Sequence, residues 1–234
     1  MQGPAIFIIT GEKGEGKSSF AGRLAEILKN HDCTVTGIIA EGLLKGTSRT
    51  GFLLTDAGTG IKIPLAERIS HATPRKIKNT YIEDKQGKQA GSDKYTVSPE
   101  PGKTEGYQRK PETETSREHL RAGNFIFFRP ALLEGKKIIE NAILHRPDII
   151  ILDEIGSLEL KGQVWAGTLE MLLERWQGIL IMTVRHEFLK RVISHWKLNP
   201  AGIFNITYIN TGEAAEKILR FLKSGLPDDS PASG

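Results

Sequence analysis

The sequence predicts an α/β fold, a mostly parallel sheet flanked by helices. Three observations carry this. Short, wholly apolar runs alternate with stretches at helical spacing along most of the chain. A glycine-rich turn joins the first apolar run to the first helical stretch. A later apolar run ends abruptly in two acids, Asp153 and Glu154, at the kind of strand end where open α/β sheets bind ligands.

Taken in order, residues 5–9 form a continuous apolar run, as in a strand covered on both faces. Residues 17–30 place Phe20, Leu24, Ile27 and Leu28 on one helical side. Residues 35–40 give a second strand, so the two strands of this βαβ unit are expected to be parallel. Residues 52–55 and 61–65 flank the turn-rich AGTG at 57–60, which predicts a β-hairpin. After residue 66 the chain becomes rich in Lys, Glu, Gly, Pro, Ser and Thr, and it lacks the apolar surface that would offset the entropy of ordering. The pattern resumes with a strand at 125–128 and a helix opened by Pro130. Strands are then expected at 149–152, 179–182 and 206–209. Helices are expected at 163–176, 186–196 and 213–222, the last opened by Thr211. Residues 1–66 and 124–223 are read as one core domain, 67–123 as a polar, partly mobile insertion, and 224–234 as a disordered tail.

The composition sets bounds. A chain of 234 residues, 38% of them hydrophobic, can build one sizeable core. The net charge of +4 suits a polyanionic ligand, but no dense Lys/Arg stripe points to nucleic acid. Cys33 is the only cysteine, so no disulfide can form within the chain. The first ten residues lack the basic flank of a signal peptide, and no run approaches the roughly 20 apolar residues of a membrane span. A cytoplasmic protein is expected.

The motif richest in chemistry is GEKGEGKS at residues 11–18, which fits G-x-x-x-x-G-K-[ST] between a strand and a helix. This is a P-loop. Gly11, Gly14 and Gly16 permit the backbone turns that aim successive amides at an anion, and Glu12, Lys13 and Glu15 complete the loop. Lys17 is predicted to reach the β- and γ-phosphates, Ser18 to ligate Mg²⁺, and Ser19 to support the α-phosphate. Asp153, at the end of the apolar run 149–152, is placed near the same Mg²⁺. Glu154 leaves the strand end in another direction, where a carboxylate can orient and deprotonate water. The alternative is that it caps the following segment. Glu41 lies at the end of the second strand. Arg49 follows on a Gly/Ser/Thr-rich loop that could fold over the phosphates or simply lie in solvent. Thr183, Arg185 and His186 follow another strand end, where Thr183 and Arg185 could contact phosphate and His186 could equally start a helix exposed. Trp165, Trp176 and Trp196 are read as core residues.

Four stretches in order, GEKGEGKSS, GIIAEGLLKGTSRTGF, LDEIGSLEL and MTVRH, make the chain resemble the THEP-type nucleoside-triphosphatases. The resemblance covers most of the chain apart from about 68–120. It implies a RecA-like P-loop fold, with a catalytic glutamate beside the Walker B aspartate. It also implies Mg²⁺-dependent hydrolysis of several nucleoside triphosphates, ATP and GTP among them, to diphosphate and phosphate. Carried over residue by residue, those roles fall on Lys17, Ser18, Asp153 and Glu154, and then on Glu41 and Arg49. The long polar insertion and the VRH after the later strand depart from the family pattern.

Hydrolysis with slow basal turnover is therefore the leading expectation. P-loop enzymes carrying an arginine in cis turn over at about 10⁻² s⁻¹. Two alternatives use the same loop. In a small-molecule or nucleotide kinase, 67–123 would act as a lid, with Arg75, Lys76 and Lys78 on phosphate. In an ATP-gated switch, 67–123 would recruit a protein partner.

Overall fold

A computed structural model of the chain describes residues 3–69 and 119–225. The expected lid residues Arg75, Lys76 and Lys78, the mobility and partner role of the polar segment, and the disorder of the last residues fall outside the described residues.

The first βαβ unit forms as expected. Strand β1 (Ala5–Gly11) leads into helix α1 (Lys17–Asn30), which returns the chain to β2 (Val35–Lys45). Next come β3 (Ser48–Asp56) and β4 (Lys62–Arg68), then β5 (His119–Ala122) and β6 (Phe125–Phe128). Helix α2 (Arg129–His145) carries Pro130 in its first turn, where a missing N–H costs nothing. Strand β7 (Ile149–Ile155), α3 (Ala166–Arg175), β8 (Ile179–Arg185), α4 (His186–His195), β9 (Pro200–Asn205) and α5 (Thr211–Gly225) complete the chain.

Among the described residues one nine-stranded sheet forms, in the order β5-β6-β4-β3-β2-β7-β8-β1-β9. From β2 to β9 neighbouring strands are parallel. From β2 outward through β3, β4, β6 and β5 they are antiparallel. The helix-flanked part is thus the expected parallel sheet, and the antiparallel extension is larger than the single predicted hairpin. Strand β8 lies between β1 and β7, so the P-loop strand and the acidic strand are next-but-one neighbours.

Alternation along the strands explains the continuous apolar runs. Ile8, Ile38, Ile150, Leu152, Leu180 and Met182 face one core, which α2, α3 and α4 close with Ile139, Leu169, Leu172 and Val192. Phe7, Ile9, Ile149, Ile151, Ile179 and Ile181 face the other, closed by α1 and α5 through Phe20, Leu24, Ala215 and Ile218. Trp165 and Trp176 are buried, as core residues.

Several boundaries differ from those the sequence predicts. Strand β2 continues past Ala40 to Lys45 because β3 pairs with it up to Ser48, so Arg49 lies on a strand and not on a loop. Strand β4 reaches Arg68 and β5 begins at His119, so the sheet takes residues from both margins of the polar segment. The last strand is Pro200–Asn205, and the run 206–209, where the sequence predicts a strand, forms a turn. There the Asn205 carbonyl accepts from the Tyr208 and Ile209 amides at 2.9 and 3.1 Å, and Asn205 Oδ1 accepts from the Thr207 amide at 3.0 Å. The final helix is capped by Asn210, whose Oδ1 accepts from the Glu213 amide at 3.0 Å while Glu213 reaches back to the Asn210 amide.

Gly37 fixes the approach of β2 to β7. Its φ is +122°, and a Cβ there would stand 2.1 Å from the Ile151 carbonyl oxygen. Gly37→Ala is expected to cost about 3 kcal/mol through strain and displacement of a central strand. Urea unfolding checks this as a lowered midpoint with unchanged slope.

Candidate functional site

The site forms where β1, β8 and β7 end together. After β1 the chain turns through Gly14 and Gly16, both at positive φ (84° and 98°), and enters α1. No side chain caps the first turn of α1 and no acid lies in it. Its amides and dipole therefore make an anion seat. Lys17 is 5% exposed. Its Nζ donates to the carbonyls of Glu12 (2.7 Å) and Gly11 (3.2 Å), folding back on the loop it serves. Burial pushes the Lys17 pKa down, opposed by the nearby Glu154 carboxylate. Glu15 turns its carboxylate onto the Glu12 amide at 2.6 Å. Lys13 and Ser19 are exposed, and Ser18 is half-buried.

Asp153 is fully buried at the end of β7. Its Oδ1 accepts from the Thr183 hydroxyl on β8, and its Oδ2 accepts from the Ala40 amide on β2 at 2.8 Å. The Ser18 hydroxyl on α1 is a further donor. Desolvation nevertheless raises the Asp153 pKa to about 6, with those hydrogen bonds pulling the other way. A buried carboxylate beside a serine hydroxyl is an oxygen donor set suited to a hard cation. Among the described residues no cluster of three or more His, Cys, Asp or Glu forms a closed metal cage.

Glu154 is the one residue of β7 that is not buried. The peptide between it and Asp153 is cis. Its Oε1 accepts from Arg185 Nε at 2.6 Å, and Arg185 NH1 lies 3.8 Å from Glu187. The structure thus brings together the P-loop, Asp153, Glu154, Thr183 and Arg185. His186 is exposed at the start of α4. Glu41 and Arg49 have other contacts. Glu41 accepts from Lys62 at 2.6 Å and from Thr55 at 2.8 Å. The Arg49 guanidinium lies 5.1 Å from the centre of the Phe52 ring.

Glu159 is a further buried acid, which no motif in the sequence marks. It sits in a 3₁₀ turn (Glu159–Lys161) and is 4% exposed. Its carboxylate accepts from the Gly156 amide at 2.8 Å and from the Trp165 amide at 3.5 Å. It therefore fastens the loop that follows Glu154. Its flanking leucines, Leu158 and Leu160, were the available sign of burial. Desolvation raises its pKa from 4.5 to about 7. A raised carboxyl contributes stability that is fully present below 4.5 and lost as pH rises through about 7. Across that window the stability of Glu159→Gln relative to wild type is expected to gain about 3 kcal/mol. Urea titrations at a series of pH values read this as a difference in slope.

A family model described as NTPase matches residues 6–96 and 103–219. Among solved structures, the solution structure of a human cancer-related nucleoside triphosphatase matches with a TM-score of 0.55 at 18% identity, covering 96% of this chain and 99% of that one. That likeness is one of fold. No curated protein matches the sequence. Among the described residues no helix is long and apolar enough to cross a membrane. With the family match running through the P-loop, the acidic end of β7 and the end of β8, this chain belongs to the NTPase family of THEP-type nucleoside-triphosphatases and is a nucleoside-triphosphate hydrolase.

Proposed function

We propose that the chain hydrolyses ATP, GTP and other nucleoside triphosphates to diphosphate and phosphate with Mg²⁺, using Glu154 as the general base. The observation that carries this is the position of Glu154. It is a partly exposed carboxylate at a strand end, beside the buried Asp153 and within the field of Lys17.

The loop amides and the α1 N-terminus receive the phosphates. Lys17 exchanges its two carbonyl partners for β- and γ-phosphate oxygens, so no new cation has to be desolvated. Ser18 and Asp153 would hold Mg²⁺, which when bound neutralises charge on the β- and γ-phosphates. Asp153 fits this role because its charge is buried among donors that leave it short of compensation. Glu154 orients the attacking water and takes its proton.

Arg185 restrains that base. Arg185 Nε holds the Glu154 carboxylate at 2.6 Å, and so occupies the oxygen that must meet the water. Transfer of the guanidinium from Glu154 to the γ-phosphate frees the base as the substrate charge is met. This makes Arg185 the cis arginine of the site, while Arg49 and Glu41 organise the hairpin beside it. Basal turnover is expected on the order of 10⁻² s⁻¹.

Glu154→Gln is expected to retain nucleotide affinity while phosphate release falls about 100-fold or more. Normal release by that variant rules out the base. Arg185→Ala is expected to lower turnover at least tenfold and to narrow the affinity difference between tri- and diphosphate. Paired binding and phosphate-release assays on the full chain check both.

A further inference from the structure

We propose that the turn 206–209 after β9, headed by Tyr208, is the nucleobase platform of this site. The proposal rests on the hydrolase reading above and adds what that reading lacks, a place for the nucleoside.

Polarity comes first. The chemical end of the site is fixed by Asp153 and Glu154 on β7 and by Thr183 and Arg185 on β8. In the sheet these strands lie on one side of β1, and β9 lies on the other. A triphosphate whose γ-phosphate meets Glu154 and which crosses the P-loop therefore sends its nucleoside out over β9.

The turn that follows β9 is built against the loop. The Ile206 amide donates to the Thr10 carbonyl at 3.0 Å. The Ile206 side chain packs so closely on Gly11 that a Cβ there would meet its Cγ1 at 2.8 Å. The Thr207 hydroxyl lies 3.5 Å from Glu15 Oε1. Asn205 locks the turn from within, and the Asn210–Glu213 box closes it into α5. The turn is therefore packed and hydrogen-bonded directly onto the phosphate loop.

Tyr208 is 84% exposed on this hydrogen-bonded turn. It borders an open groove of about 590 Å³, with Ile203 and Ile209 as its apolar part and Glu213, Glu216, Lys217 and Arg220 of α5 as a wall of mixed charge. That size falls within the range of small-molecule sites. A ring held on a short turn offers a flat face at little entropic cost, and every nucleobase presents a π-face to it. Stacking of this kind grips the base without selecting among bases.

The test is calorimetric titration of the full chain with ADP, GDP, CDP and UDP, and competition by inorganic tripolyphosphate. Tyr208→Ala is expected to weaken all four diphosphates about tenfold and leave tripolyphosphate unchanged. Tyr208→Phe and Tyr208→Trp are expected to retain wild-type affinity, because the ring and not the hydroxyl is used. The platform is overturned if Tyr208→Ala binds the diphosphates like wild type, or if tripolyphosphate weakens in step with them. The underlying phosphate reading fails separately if Lys17→Ala leaves the affinity for both ligands unchanged.

Discussion

The site depends on the burial of one carboxylate. Asp153 takes hydrogen bonds from Thr183 on β8, from the Ala40 amide on β2 and from Ser18 on α1. These partners come from three different elements, so one side chain ties two neighbouring strands and the phosphate-binding helix to the end of β7. Its pKa of about 6, against an ordinary 3.8, corresponds to about 3 kcal/mol of charge held under desolvation. On the proposed reading, a divalent cation at Asp153 would relieve that cost, and the site would favour metal-bound phosphate.

The sheet order makes this arrangement possible. Placing β8 between β1 and β7 sets Thr183 beside Asp153 and Arg185 beside Glu154. The adjacent pair 153–154 thus divides its work by burial. The inward residue is held by Thr183 and Ala40, and the outward one is partly exposed and faces Arg185. Glu159 secures the loop that follows through the Gly156 and Trp165 amides. Glu41 and Arg49 belong to the antiparallel half, where Lys62, Thr55 and Phe52 engage them.

Much of this was legible in the sequence because its signals are local. The P-loop lies within eight consecutive residues and has one structural context. The apolar run before Asp153 is short and rich in β-branched residues, as a covered strand is. What was not legible depends on partners distant in sequence. The extra length of β2 comes from pairing with β3. The alternating polar and apolar residues at 205–209 look like a strand, but Asn205 turns them, while Pro200 concealed the true strand at the sheet edge. The burial of Glu159 and the pairing of Arg185 with Glu154, 31 residues apart, required the fold.

The most direct test of this account is the titration of Asp153 itself, followed through the carboxyl carbon resonance in labelled protein. A midpoint near 6 is expected in the free protein, with a fall well below it when Mg²⁺ and nucleotide are added. A midpoint near 3.8 that does not move on their addition would contradict it.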